Sequence, residues 1–448
     1  TLFPYTTLSD LYPQSAAPQT FIAWQKANPL NGDNAANDNP DADFFVNLLE
    51  YALGTNPGTN VTRAASPSPF ILEANASGNL EALLIRPTAG HLDLSYALEV
   101  SSNGTTGWQP VSHPPAITQN NDGTETLRWS LTVKDKLFAR LTVTLDADHN
   151  GKAEATASTP VQAAALVPFA AATQTFSMPL LKPDVFTGRL SEASDINFAK
   201  GQTYYAVALE GSHQGETANL TSADQADLSA FATRVFDAAS TRVSIHAHWT
   251  LNELFPVASF HASNSASTAD RIMFFDSKTN AYEVHWLYAA TAGPRWVRER
   301  DTSMTDSGSR IIGANEGLLV ARRASSTPSL LTLPFTGQVR STPFVIKQSA
   351  GSRLIGTGSL IAQSPAQLSM DSAHGYIASS DAKTASRIRI WVGDKKPGST
   401  AYELYFYHSK PTGASHWINA ESTTPSSADN ASLFQPFRAA FVSRDVEP

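Results

Sequence analysis

The sequence has no cysteine. Disulfides, thiolate metal sites and cysteine nucleophiles are therefore excluded, and stability must come from packed cores, with metal ions as the remaining reinforcement. Charge is sparse as well. Only 16% of residues are Asp, Glu, Lys or Arg, the formal net charge is -8, and no Lys/Arg-rich run occurs. Such a chain lacks the electrostatic footprint of a nucleic-acid-binding protein. Long apolar runs are missing too. The longest, VQAAALVPFAAA from Val161, is too short to span a bilayer and contains Pro168, so it reads as an interdomain linker and no membrane span is expected. The chain opens TLFPYTTLSD, with neither Met nor a basic-then-apolar leader. Together with many Ser, Thr, Asn and Ala residues and few Lys, this predicts a secreted bacterial protein, extracellular or at the cell surface, whose signal peptide has been removed.

What is present is ample core material. The hydrophobic fraction of 42% over 448 residues fits a folded chain of about two to four domains. Residues 1–19 form an extension with no helical period. Its Leu2, Phe3, Tyr5, Leu8, Leu11 and Tyr12 suit a strand donated to the sheet edge of a neighbouring copy, which predicts self-association. Residues 20–58 read as a helix-loop-helix. Thr20 offers an N-cap to a short helix carrying Phe21, Ile22 and Trp24, and a second helix is expected from about Phe44 to Leu53, stopped by Gly54.

Between those helices lies DNPDADFFVNLLE. Asn39, Asp41, Asp43, Asn47 and Glu50 fall at positions one, three, five, nine and twelve of a calcium loop, with Phe45 supplying a carbonyl at position seven. Two features depart from that pattern. Asn39 replaces the usual first Asp, and Phe44 stands where the turn favours glycine, positive φ being costly for a bulky residue. Two readings stand: a calcium site, or Asp41 and Asp43 capping the second helix and complementing its dipole.

Within residues 62–153 the hydrophobic period is two from about residue 68, as in ALLIRP, LSYALEVS and FARLTVTL between Asn/Gly turns. This pattern predicts a small antiparallel sandwich. Residues 154–175 read as the linker. Beyond it the chain repeats itself: TADRIMFF…AYEVHWLYAA…RWVRERDT from Thr268 matches TASRIRIW…AYELYFYHS…HWINAEST from Thr384, and VFTGRL around Phe186 matches PFTGQV around Phe335. Two related β units are expected, 176–330 and a shorter 331–448. The fold class is mainly β, several antiparallel sandwich or barrel-like units behind a small helix-loop-helix.

Other chemical candidates are weaker. Asp146, Asp148 and Asn150, with Glu154, sit in DADHNG, but position twelve is Ala157, so a polar turn is the preferred reading. His246, His248 and Glu253 resemble half of a cupin-type metal site whose second half is not found; partly buried histidines with hydrogen-bond partners are preferred. GSHQG around Ser212 is not a nucleophile elbow. Glu283 and Glu403 occupy matching places in the repeats, which favours a shared structural duty over catalysis. Trp286, Trp296, Tyr405, Tyr407 and Trp417 suit either a core or a platform for stacking sugar rings.

The run NPDADFFVNLLEYALGTNP resembles the D-P-D-G-D-G-x-x-N-x-x-E-Y-x-x-G-x-x-P segment of secreted modular proteins of planctomycete and verrucomicrobial bacteria, differing at Asn39, Ala42 and Phe44. That segment is related to dockerin and thrombospondin type 3 calcium repeats. A following small β module with a Y-x-x-E-x-S…W pattern is matched by Tyr96, Glu99, Ser101 and Trp108, and the later half resembles an uncharacterised β-repeat family from the same bacteria. The resemblance implies calcium as a cofactor and does not imply a known catalytic activity. The expectation is a non-enzymatic structural subunit of a cell-surface or extracellular filament, the alternative a surface protein binding polysaccharide, and the third a hydrolase without a recognisable motif.

Overall fold

The computed structural model describes the chain except residues 1–19, 31, 59–68, 75–78, 89–90, 193–195, 197, 347–350, 394–400, 411–412, 423–425 and 445–448. The expected donated strand of residues 1–19 lies outside the described residues. The fold is mainly β, built from several antiparallel sheets and a few short helices. Among the described residues no helix is long and apolar enough to cross a membrane.

The chain forms two compact units. The first comprises residues 1–166, 181–247 and 334–343; the second comprises 167–180, 248–333 and 344–448. The division differs from the expected linear succession of domains, because each unit collects segments distant in sequence. Residues 154–175 are not a linker. They contain strands Ala155–Ser158, Gln162–Ala170 and Thr173–Ser177. Gln162 and Ala163 to Ala165 are buried against a neighbouring strand, where small side chains permit close packing. Pro168 is exposed, at a place where a missing N–H is tolerated.

In the first unit, α1 (Phe21–Ala27) and α2 (Asn47–Leu53) cover a sandwich. One sheet joins β1 (Phe70–Ala74), β2 (Leu80–Pro87), β5 (Ala116–Gln119) and β6 (Thr124–Leu131) in the order β1-β2-β6-β5. Before and after these run β3 (Leu94–Ser101), β4 (Gln109–Pro110), β7 (Lys136–Leu145), β8 (Ala155–Ser158) and β9 (Gln162–Ala170), of which residues 162–166 belong to this unit. In the second sheet β3 and β9 flank β7, and β4 pairs with β3. Alternation does the sorting: β2 reads buried at Leu80, Ala82 and Leu84, and β7 at Ala139, Leu141, Val143 and Leu145, each set on one face of its strand. These residues share one core with Phe21, Trp24, Leu48, Leu49, Tyr51 and Leu53 of the helices. Thr20 caps α1 by accepting the Ala23 N–H at 3.3 Å. Asp93 fastens the pair, taking the Phe21 N–H at 2.6 Å and the Tyr51 hydroxyl at 2.8 Å. The same unit holds a four-stranded sheet, in the order Asp184–Arg189, Arg242–Ala247, Tyr204–Ala208, Thr217–Leu220. The helix Leu228–Phe236 buries Phe231 and Phe236 against it.

The duplication occupies the second unit as two five-stranded sheets of identical order. One runs Thr173–Ser177, Gly317–Ala321, Arg271–Asp276, Ala281–Tyr288, Arg295–Arg298; the other runs Ser352–Ile355, Ala440–Ser443, Arg387–Trp391, Tyr402–His408, His416–Asn419. Register matches as well. Arg271 faces Trp286 as Arg387 faces Phe406, and the isolated bridge Ser263 to Tyr288 recurs as Ser379 to His408.

Leu48 is fully buried where α2 meets the sandwich. Leu48→Ala is expected to cost about 2–5 kcal/mol, read as a fall in the urea midpoint. An unchanged midpoint would show that the helix pair is not part of the cooperative core.

Candidate functional site

The acidic loop precedes α2 and is shaped by a short chain of turns. The Ala42 N–H donates to the Asn39 carbonyl at 3.3 Å. Asp41 Oδ1 accepts the Asp43 N–H at 3.3 Å, and Asp43 Oδ1 accepts the Phe45 N–H at 2.5 Å. The left-handed residue is Ala42, with φ 59°, so the position where the sequence raised concern is relieved. Phe44 does not take the positive φ; the small Ala42 does, at lower steric cost. The expected helix start at Phe44 is corrected to Asn47, preceded by Val46 in extended conformation. Phe44 and Phe45 stay in the loop because Asp43 and the turn at Ala42 hold their backbone out of helix. Phe45 is buried in the shared core and Phe44 packs on its edge.

This late start also bears on the expectation that Asp41 and Asp43 cap the second helix. Neither side chain caps α2, whose N-cap Val46 makes no side-chain cap bond. The two carboxylates turn instead toward Glu50. Asp41, Asp43 and Glu50 are all buried, and one oxygen from each lies within 4.8 Å of the others. Oxygens sharing one calcium at about 2.4 Å are at most about 4.8 Å apart.

Around this triad the amides are oriented with their oxygens left over. Asn47 is fully buried and spends both Nδ2 protons on the carbonyls of Asp33 and Ala35, at 2.9 Å each. Asn39 Nδ2 donates to the Asp43 carbonyl at 2.7 Å. Asn39 Oδ1, Asn47 Oδ1 and Glu50 Oε2 are buried with no hydrogen-bond partner among the described residues. Buried polar atoms are almost always satisfied, and three orphan oxygen acceptors beside a carboxylate cluster match what a hard cation requires. The loop is anchored from outside by Arg242, whose guanidinium donates to the carbonyls of Ala42 and Asp43 and lies 6.0 Å from the Phe44 ring centroid. Sequence reading missed Arg242, since a residue 200 positions away offers no local signal.

Burial first, and then Asp41 and Asp43, push the Glu50 carboxyl up to about 10. Two like-charged neighbours and desolvation both disfavour ionisation.

The remaining candidates are placed elsewhere. Asp146, Asp148 and Glu154 converge in a largely exposed turn, and their oxygens already accept the N–H groups of Asn150, Gly151 and Ala147. His246 is fully buried and uses both nitrogens, on the Lys182 carbonyl at 2.8 Å and the Ser244 hydroxyl at 2.9 Å; burial pushes it down to about 4. Glu253 forms a capping box with Thr250. Glu283 is engaged by His285, Arg298 and Arg310, and Glu403 by the Tyr405 hydroxyl. Trp286, Trp296, Tyr407 and Trp417 are buried, and Tyr405 packs on a core cluster, so these residues do not build an exposed stacking face. The two equivalent tryptophans are pinned alike, Trp296 Nε1 to the Phe255 carbonyl at 2.9 Å and Trp417 Nε1 to the Met370 carbonyl at 2.7 Å.

No family model, curated protein or solved structure matches this chain.

A carboxyl held above its ordinary range keeps its proton in the folded state where the unfolded chain has lost it. Its contribution to stability is full below the ordinary Glu range and is lost as pH rises toward about 10. In chelator, the thermal midpoint is therefore expected to fall between about pH 5 and about pH 9, and Glu50→Gln is expected to flatten that slope. An equally steep slope in the variant would place its origin elsewhere.

Proposed function

We propose that this chain is a calcium-braced, non-catalytic structural protein of the cell surface or extracellular space, a subunit of a filamentous assembly. The observation that carries this reading is the buried cluster of Asp41, Asp43 and Glu50, in a segment where the side-chain oxygens of Asn39 and Asn47 are also buried without a hydrogen-bond partner among the described residues. Calcium accepts six to eight oxygens in irregular geometry, and the side chains present offer three carboxylates and two amide oxygens, leaving the Phe45 carbonyl and water to complete the shell. Asn39 in place of a first carboxylate lowers the ligand charge, which favours the weaker affinities of extracellular modules, in the range of about 10⁻⁴–10⁻³ M.

The ion would serve as a brace and not as a reactant. Its ligands come from the loop and from α2, and α2 is buried along its whole length in the core that the helices share with the sandwich. Arg242, at the start of a strand in the neighbouring sheet of the same unit, grips the loop backbone. Calcium binding would thereby stiffen the junction of three elements, a property suited to a load-bearing subunit. Self-association through residues 1–19 belongs to the same proposal.

Calorimetric titration of the whole chain tests the site. One calcium per chain is expected, with affinity falling at least about tenfold in Glu50→Gln and in Asp43→Asn. Heat without saturation, or equal affinity in both variants, would remove the brace. Negative-stain microscopy with and without chelator tests assembly separately: filaments are expected in calcium, and uniform single particles in both conditions would sink the filament reading while leaving the ion site intact.

A further inference from the structure

Among the positions at which the duplicated sheets differ is a cross-strand pair near the end of the ladder. In the first copy Tyr288 faces Arg295, and the guanidinium lies 5.8 Å from the Tyr288 ring centroid, a cation–π contact that gives both side chains a partner. In the second copy the same two positions hold His408 and His416, paired in the same register. Their ring centroids are 5.7 Å apart with planes inclined at 64°. His416 is only 6% exposed. The Nδ1 atom of each ring is buried and has no hydrogen-bond partner among the described residues.

Two imidazoles side by side, each with an unused buried nitrogen, are costly as they stand. Neutral histidine normally commits one nitrogen as donor and the other as acceptor, as His246 does here with Lys182 and Ser244. Nor does the sheet demand histidine at these positions, because the first copy closes the same ladder with a tyrosine and an arginine. A shared metal ion uses what the pair offers. With metal–nitrogen bonds of about 2.0–2.1 Å, two imidazoles on one tetrahedral or more open ion have centroids roughly 5–6 Å apart, which the observed separation satisfies. Imidazole suits zinc, copper and nickel and is a poor ligand for calcium or magnesium, so the ion would differ from the one proposed for the acidic loop.

We propose that His408 and His416 form a two-histidine site for a divalent transition metal, zinc being the natural probe, with the remaining coordination positions open to water or to a ligand brought by another molecule. The site belongs to the second copy alone. It requires neither the calcium loop nor assembly.

Zinc titration of the full chain, with calcium held in excess to saturate the acidic loop, decides the matter. One zinc per chain is expected. Exchanging the pair for that of the first copy, His408→Tyr with His416→Arg, keeps a side-chain pairing that this ladder already accommodates, and is expected to abolish that zinc while leaving the thermal midpoint in chelator unchanged. His408→Asn, at the more accessible partner, is expected to lower zinc affinity at least about tenfold, the smaller end of what loss of even a supporting partner costs a metal site. His374→Ala, at a surface histidine bonded to Asp371, is expected to bind zinc like the parent. Equal zinc binding by the exchanged variant, or no saturable zinc binding by the parent, overturns the proposal.

Discussion

Three carboxylates buried within 4.8 Å of one another impose the constraint around which the first unit is organised. Like charges out of water repel strongly, so the cluster must be protonated, bridged by a cation, or pulled apart. The surrounding structure holds it together. Asp33 and Ala35 take the Asn47 amide protons, the left-handed Ala42 turns the loop, and Arg242 clamps the loop carbonyls from a strand of another sheet. The consequence reaches the core. Helix α2, too short to be stable alone, is fixed at its N-terminal side by this loop and at its C-terminal side by Gly54 in the left-handed conformation, and it contributes residues of every face to the core it shares with the sandwich.

The second unit works by a different economy. It uses one β architecture twice, with the same strand order, the same bridge and an equivalent buried tryptophan donating to a backbone carbonyl. The copies meet through Phe275, Tyr402 and Phe441, whose rings pack edge to face. At the equivalent positions of the two ladders, Tyr288 and Arg295 give way to His408 and His416.

Several elements could be read from the sequence because their signals are local. Thr20 as N-cap, Gly54 as helix stop, the alternation in β2 and β7 and the duplication itself depend on neighbours two to four residues away or on direct self-similarity. The grouping of acidic and amide side chains from Asn39 to Glu50 was legible for the same reason, since one turn and one helix carry all of it. The readings that failed were those in which local composition pointed away from tertiary demand. The Ala/Pro stretch 154–175 looks like a linker, yet its small side chains are what a tightly packed strand beside β7 needs. For the indoles of Trp286, Trp296 and Trp417 the preferred reading, core residues, agrees with their burial.

The sequence by itself determined the class of the fold, the repeat and the clustering of acidic and amide side chains before α2, because periodicity and spacing act over a few residues. Tertiary structure decided the rest: which face of each strand is inside, that Asp41 and Asp43 turn toward Glu50 and not toward the helix end, that Arg242 grips their loop, and that His408 meets His416. These outcomes depend on burial and on contacts between distant segments, where desolvation and packing, not local propensity, set the energy.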